Sequence, residues 1–163
     1  MHFVQSYRRL TRLPPPEKEQ LNINSTIDDV IRVATVDWDS KGIIVEKNVA
    51  SDGLEVSADK DMLEQMLINL MKNAEQALEA TENPQVKLYA KISKRGRIVI
   101  EVSDNGPGIS DELAEKIFVP FYTTKRDGSG VGLALTRQVM ISHGGSVSLS
   151  KPDGGGATFI LTF

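Results

Sequence analysis

Four amide side chains lie at helical spacing near the middle of the chain, and amides can bind both metal ions and phosphates. Gln65, Asn69, Asn73 and Gln76 are three or four residues apart, so on a helix over residues 59–80 they share one face. Asparagine is a poor helix former, and two of them in mid-helix need a reason. Their oxygens could meet a hard cation such as Mg²⁺ while their NH2 groups meet phosphate oxygens. The alternative is that both asparagines cap loops that fold over the helix.

An aspartate at the end of a predicted strand could recognise the edge of a base. Asp104 is followed by a turn that contains Gly106 and Gly108. Its carboxylate can accept a hydrogen bond from the exocyclic amine of adenine, and the two glycines let the backbone approach the base. Asp-Asn-Gly-Pro is also good turn chemistry, so without the other motifs a plain turn is the better interpretation.

A glycine-rich loop opens directly onto a later helix. Gly128, Gly130 and Gly132 precede that helix, where free backbone N–H groups and the positive end of the helix dipole suit an anion. A dinucleotide-binding loop would need glycine at position 133, where this chain has Leu133, and a strand just before the loop, where it has the polar stretch 123–127. The P-loop motif is absent from the sequence. The loop therefore favours phosphate binding of another kind.

Side chains near these motifs could complete such a site. Lys125 could reach phosphates as a point charge, and Arg126 either does so as a planar fork or is simply solvated. Phe118 and Phe121 could fix the loop to the body of the domain, or pack as ordinary loop residues. Thr158 could bond Asp104 or a water on adenine, or serve only as a strand residue.

The elements that must position these residues indicate an α+β fold, an α/β sandwich. We expect one mixed, mostly antiparallel sheet, covered on one face by about three helices, with a flexible lid over residues 119–130. Hydrophobic periodicity and turn signals place the elements. The predicted helices are 1–13, one from Asn24 or Ser25 to about Asp39, 59–80, 111–118 and 131–142. The predicted strands are 43–49 and 54–57 around the Ser51–Gly53 turn, 85–93, 97–104, 146–150 and 157–163.

Composition excludes several classes of protein. The chain has 163 residues and a net charge of -3, so it lacks the basic footprint of a nucleic-acid-binding domain. Cysteine is absent, which removes disulfides and thiolate metal sites. No apolar run approaches the roughly 20 residues that span a bilayer. We therefore expect a soluble, cytoplasmic chain, whose parent protein could be anchored in the inner membrane.

The two histidines do not look like functional groups. His143 ends a predicted helix beside two glycines, where the helix dipole favours histidine. His2 lies near the start of the chain. Neither has the helical His-Glu setting expected of a phosphoacceptor, and the pair is too far apart to form a metal site.

Taken in order, the motifs resemble the ATP-binding catalytic domain of bacterial sensor histidine kinases. They are Asn69-x-x-x-Asn73, Asp104-x-Gly106-x-Gly108, Gly128–Gly132 and the closing stretch Gly154–Phe159. That superfamily also contains gyrase-type, chaperone and mismatch-repair ATPases. The sequences FYTTK and GSGVGLAL are most similar to nitrogen-regulation-type and related sensor kinases. The resemblance covers residues 21–163 and implies a left-handed sandwich fold.

The resemblance also implies roles for residues. Asn73 would bind Mg²⁺, Asn69 would support phosphate or metal, Asp104 would read adenine, and Gly128–Gly132 would form part of the lid over the phosphates. Asn69, Asn73 and Lys125 would be the catalytic residues. The full set implied to contact ATP is Asn69, Asn73, Asp104, Gly106, Gly108, Ile109, Phe121, Lys125, Gly128, Ser129, Gly130, Val131, Gly132, Leu133 and Thr158.

The implied reaction transfers the γ-phosphoryl group of Mg-ATP to a histidine on a dimerisation domain, with a response regulator downstream. Residues 1–16 resemble the end of a dimerisation helix and a proline-rich linker, and residues 17–163 the catalytic domain. The helical hairpin with the acceptor histidine is missing from this chain, and position 65 is Gln65 where many relatives have glutamate. Two alternatives stay open: a nucleotide-binding regulatory module, and an anti-sigma-type serine kinase of the same fold.

Overall fold

The computed structural model describes residues 2–126 and 128–163, and for His2 and Phe3 the backbone alone. Expectations for the His2 side chain and for Asp127 in the lid therefore lie outside the described residues. The helices are α1 (His2–Thr11), α2 (Ile23–Ala34), α3 (Trp38–Lys41), α4 (Lys60–Ala77), α5 (Asp111–Ala114) and α6 (Gly132–Ser142). The strands are β1 (Glu19–Asn22), β2 (Ile44–Val49), β3 (Glu55–Ala58), β4 (Gln85–Ile92), β5 (Ile98–Asp104), β6 (Ser146–Ser150) and β7 (Ala157–Thr162).

Among the described residues, the main sheet has five strands in the order β2-β4-β5-β7-β6. β2 and β4 run parallel, and the other neighbouring strands of the sheet are antiparallel. β1 and β3 form a separate antiparallel pair. The predicted α+β class, with a mixed and mostly antiparallel sheet, is confirmed.

The core lies between one face of this sheet and the helices α2, α4 and α6. Alternate residues of β4, namely Val86, Leu88 and Ala90, are fully buried, because successive side chains of a strand point to opposite faces. From α4, a wide apolar stripe packs onto them: Leu63, Met66, Leu67, Leu70, Met71 and Ala74. Burying this stripe leaves the amide-bearing side of α4 to face the loops that follow β5.

Capping residues set the ends of the two long helices. Asp59 caps α4, its carboxylate accepting from the Met62 N–H at 3.1 Å. Asn22 caps α2, and its Oδ1 accepts from the Ser25 N–H at 3.0 Å. The prediction of a cap at Asn24 or Ser25 is therefore wrong, because the capping side chain lies at the end of a strand that the sequence analysis missed.

Two further helix boundaries and one strand pairing also differ from the predictions. The second helix ends at Ala34 and not near Asp39, and a separate single turn, α3, follows it. α5 spans only 111–114, and turns replace the rest of the predicted helix 111–118. β2 and β3 flank the predicted turn but pair with β4 and β1, respectively, and not with each other. Among the described residues, no helix is long and apolar enough to cross a membrane.

Candidate nucleotide-binding site

A cavity of about 480 Å³ lies between α4, the end of β5, the segment after β5 and the start of α6. Its size is suited to a small-molecule ligand. Most of the residues predicted for the site reach its wall, although they come from three separate parts of the chain. They are Asn69, Asn73, Asp104, Gly108, Ile109, Lys125, Gly128, Ser129, Gly130, Gly132 and Leu133.

Three predicted residues lie beside the cavity and not on its wall. The Gly106 N–H donates to Asp104 Oδ1 at 2.9 Å, so Gly106 orients the aspartate. The Phe121 N–H donates to the Gly130 carbonyl at 2.8 Å, which joins the two ends of the lid. Val131 is buried at the N-cap position of α6. These residues shape the site through their neighbours.

Thr158 does not bond Asp104, which favours the alternative that it serves as a strand residue. In the register of β5 and β7, Thr158 lies opposite Ser103, and Ala157 lies opposite Asp104. Because adjacent strand residues point to opposite faces, Thr158 faces away from the cavity. Its hydroxyl lies 2.7 Å from Ser103 Oγ, and it is Ala157 that lines the cavity.

Asp104 is the buried acid of the site. Only 8% of the residue is exposed, and its Oδ1 accepts from the Gly106 N–H. Burial raises the pKa of this carboxyl group, and backbone hydrogen bonds from Gly106 and Ala157 partly offset the rise. A buried acceptor at a cavity wall is stabilised by a ligand that brings a donor. An exocyclic amine on a base is such a donor.

Two glycines allow close contacts at the site. A Cβ on Gly132 would lie 2.5 Å from Asn69 Oδ1, so the first turn of α6 fits directly against the asparagine on α4. Gly156, at a φ of +91°, lets the loop before β7 pass so close to Asp104 that a Cβ would lie 1.9 Å from the Asp104 carbonyl oxygen. Asn69 Nδ2 also lies 3.4 Å from Thr136 Oγ1 of α6. Asn69 therefore joins α4 to the helix that opens at the glycine loop.

Lys125 connects the lid to the amide face of α4. Its Nζ donates to Asn73 Oδ1 at 3.2 Å and to Gln76 Oε1. The residue as a whole is exposed, but its ammonium is partly desolvated against these amides, and that burial lowers its pKa, while the charge of Glu79 acts in the opposite direction.

The model of a known protein family matches most of this chain. Residues 58–163 match the family model described as histidine kinase-, DNA gyrase B- and HSP90-like ATPase, which is more than half of the chain. The chain belongs to this family.

Similar individual proteins are sensor kinases. The sensor histidine kinase ZraS of Salmonella typhimurium is 33% identical over 143 residues, which are 88% of this chain and 30% of ZraS. The signal transduction histidine-protein kinase AtoS of Escherichia coli is 29% identical over 158 residues, 97% of this chain and 26% of AtoS. The chain thus spans about a third or less of the length of these relatives.

Solved structures of histidine kinases share the fold of this ATPase domain. The catalytic domain of ThkA superposes with a TM-score of 0.80 at 33% identity, covering 90% of this chain and 95% of that domain. Full-length ShkA in complex with AMPPNP superposes with a TM-score of 0.86 at 28% identity, covering 99% of this chain and 35% of ShkA. ThkA in complex with the response regulator protein TrrA superposes with a TM-score of 0.84 at 28% identity, covering 99% of this chain and 46% of that ThkA chain.

The donor set of the ATPase domain fits a metal ion that arrives with its nucleotide. Among the described residues, no group of three or more histidine, cysteine, aspartate or glutamate side chains could hold an ion. Asn73 Oδ1 supplies a hard oxygen on the cavity wall. Mg²⁺ commonly keeps one or two protein ligands and takes the others from phosphates and water. Asn73 would be the protein ligand of such an ion.

The sequence analysis missed an apolar part of the wall that suits a flat ring. Leu113, Ile117 and Phe159 line the cavity together with the predicted Ile109. Phe118 packs edge-to-face on Phe159, with ring centroids 6.3 Å apart, so the phenylalanine of the lid region joins the floor of the site. Because Asp104 pairs with Ala157, the alternation of side chains along β7 places Phe159 on the same face as Ala157. The sequence alone does not provide this pairing.

His143 caps the end of α6, as predicted, and its ring has a structural role. Nδ1 lies 2.7 Å from the Val139 carbonyl, and Nε2 accepts from the Asp59 N–H at 3.0 Å. The ring therefore donates through Nδ1 and helps to hold the first turn of α4. Both nitrogens have partners away from the cavity.

Proposed function

We propose that this chain is the ATP-binding catalytic domain of a two-component sensor histidine kinase. The observation that carries the proposal is the single cavity that combines the α4 amides, buried Asp104 and the glycine loop at the start of α6. Membership of the ATPase family and the similarity to ZraS and ThkA support it. Because these relatives are sensor histidine kinases, they favour this function over a regulatory module or a serine kinase.

In the proposed complex, adenine lies on the apolar wall and donates its amine to Asp104. The phosphates lie between α4 and the glycine loop, where Asn69 and the N–H groups at the start of α6 meet them. Asn73 binds Mg²⁺, which neutralises phosphate charge, and Lys125 contacts the phosphates once it leaves the amides. The remaining contacts come from Gly108, Ile109, Gly128, Ser129, Gly130 and Leu133, while Gly106, Phe121 and Val131 shape the site through their neighbours.

The proposed reaction moves the γ-phosphoryl group to a histidine on a dimerisation domain. Histidine is a good nucleophile, so the domain contributes mainly by positioning the phosphoryl group and neutralising its charge. We infer that residues 1–16 are the end of a dimerisation helix and its linker, and that 17–163 are the catalytic domain. In agreement with this division, α1 packs on α6 and residues 14–16 are three prolines.

The proposed partners are the parent protein's own dimerisation domain and a response regulator. The ThkA structure that resembles this chain is a complex with such a regulator. The net charge of -3 gives no support for a nucleic-acid partner.

Calorimetric titration with adenine nucleotides tests the proposed function. We expect AMPPNP and ADP to bind in the presence of Mg²⁺, and GTP to bind much more weakly because it carries no exocyclic amine at the position of the adenine amine. A folded chain that gives no heat with AMPPNP at high protein concentration would contradict the proposal.

A further inference from the structure

The Lys125 ammonium donates a hydrogen bond to Asn73 Oδ1, the oxygen that the proposed function assigns to the metal ion. Its Nζ is 3.2 Å from Asn73 Oδ1 and also donates to Gln76 Oε1, three residues further along α4. We infer that Gln76 is a positioning residue that holds the Lys125 ammonium on Asn73, so that the ammonium and Mg²⁺ compete for one oxygen. This inference rests on the proposed function, since it needs Asn73 to bind the ion.

Charge repulsion causes the competition. The ammonium is within hydrogen-bond distance of Asn73 Oδ1. An amide oxygen has two lone pairs, but an ammonium and Mg²⁺ bound to the same oxygen would lie only a few ångströms apart and repel each other. Mg²⁺ therefore reaches Asn73 only in the fraction of molecules in which Lys125 has moved away, and its apparent affinity falls by that fraction.

The ammonium can leave because no opposite charge lies within salt-bridge distance of it. Within residues 2–126 and 128–163, Lys125 forms no salt bridge, its Nζ donates to the amides of Asn73 and Gln76, and the charge of Glu79 attracts it without a direct contact. A partly desolvated charge without an opposite charge in contact is only weakly stabilised. The triphosphate brings that opposite charge, so nucleotide binding draws Lys125 from the amides to the phosphates and frees Asn73.

Gln76 sets the balance between the two positions of Lys125. It contributes one of the two hydrogen bonds that keep the ammonium on α4, yet the residue is exposed and supports no core contact. Removing its amide should loosen Lys125 without disturbing the helix, because alanine is the best helix former. Gln76 therefore determines how much Mg²⁺ the domain needs, without binding the ion itself.

A double-mutant cycle on the Mg²⁺ dependence of AMPPNP binding tests the inference. Calorimetry at a series of MgCl2 concentrations, and in EDTA, gives the half-effective Mg²⁺ concentration for each variant. We expect Gln76→Ala to lower it by roughly threefold to tenfold, the effect of losing one exposed hydrogen bond to a charged group. In a Lys125→Met background, Gln76→Ala should cause no further change. Gln138→Ala, which removes an exposed glutamine amide from α6 away from the cavity wall, serves as the matched control and should leave the value unchanged.

The outcomes separate the inference from the function on which it rests. An unchanged half-effective concentration in Gln76→Ala overturns the inference. So does an equal shift by Gln76→Ala in the Lys125→Met background, because Gln76 would then act on the ion directly. If the unmodified chain binds AMPPNP without any dependence on Mg²⁺, the inference fails and nucleotide binding stands. If it binds no AMPPNP, the proposed function itself fails.

Discussion

The α-carbon of Gly132 lies so close to Asn69 that a Cβ on the glycine would be 2.5 Å from the asparagine Oδ1 and 2.7 Å from its Nδ2. The start of α6 therefore packs directly against the amide face of α4. A side chain at position 132 would have to displace the Asn69 amide, which lies at the end of a flexible side chain. The third glycine of the loop thus leaves that amide in place beside the proposed phosphate site.

Gly132→Ala should displace the Asn69 amide and weaken nucleotide binding. Overpacking of this kind typically costs about 1–3 kcal/mol, and part of that loss should appear as a lower affinity for AMPPNP. Gly53→Ala is the matched control, because a Cβ there meets nothing within 4 Å. Equal AMPPNP affinity in Gly132→Ala and the unmodified chain would show that the contact with Asn69 is unimportant for binding.

Asp104→Asn should separate ligand binding from stability. Losing a hydrogen bond to a charged group should weaken adenine nucleotides by about 1.5–3 kcal/mol. The nucleotide-free variant should nevertheless melt at a slightly higher temperature at neutral pH, because burial raises the pKa of Asp104 and the ionised form is the one that the fold disfavours.

The higher melting temperature of Asp104→Asn should depend on pH, because the pKa of Asp104 is raised in the folded state. A carboxyl group whose pKa is raised in the folded state contributes stability that is present below its unfolded pKa and is lost as the pH rises through the folded pKa. The melting temperatures of Asp104→Asn and the unmodified chain should therefore converge as the pH falls below the ordinary range of aspartate. A variant that melts lower at neutral pH would contradict this assignment.

Asn73→Ala should spare binding of AMPPNP in EDTA but remove the gain in affinity on adding Mg²⁺. The reason is the loss of the only protein oxygen that we assign to the ion. Asn73→Asp, which keeps an oxygen at the same place, should retain a dependence on Mg²⁺. Calorimetry with and without MgCl2 measures both. An undiminished gain in the alanine variant would assign the ion to another ligand.

The lid should exchange its amide hydrogens rapidly without nucleotide and slowly with AMPPNP. Among the described residues of 119–130 there is no helix or strand, and the Phe121–Gly130 hydrogen bond joins the two ends of the segment. Hydrogen-exchange mass spectrometry reports the peptides that cover it, with the buried β4 as an internal reference. Equal protection of the lid peptides in both states would argue against a lid that closes on its ligand.

Local patterns predicted the long helix of the site well. The apolar stripe of α4 and the polar face that carries Asn69 and Asn73 have a clear 3.6-residue period, and Asp59 is a typical cap. The strand β5 with Asp104 at its end followed from alternation and the following turn. The short strand β1 has too few residues for a period to be visible, so the helix start next to it was misplaced.

Contacts between distant parts of the chain could not be predicted. The resemblance implies that Thr158 contacts the nucleotide, but the register between β5 and β7 decides which of two adjacent residues faces the cavity, and it selects Ala157. The contact of Lys125 with Gln76 joins residues 49 positions apart across an irregular segment, and no local pattern encodes it. The sequence thus predicts which types of side chain form the site, but it does not predict which of these side chains contact each other.

Phosphotransfer to a separate dimerisation domain tests the central claim most directly. The chain should be incubated with ATP labelled at the γ-phosphate, first alone and then with the dimerisation helices of its parent protein. Alone it should not become labelled, since neither histidine has a suitable helical setting and His143 has both ring nitrogens engaged. With the helices added, label should appear on a histidine of those helices as an acid-labile, base-stable linkage. Strong labelling of the chain by itself, or an acid-stable phosphoserine on a partner, would contradict the account.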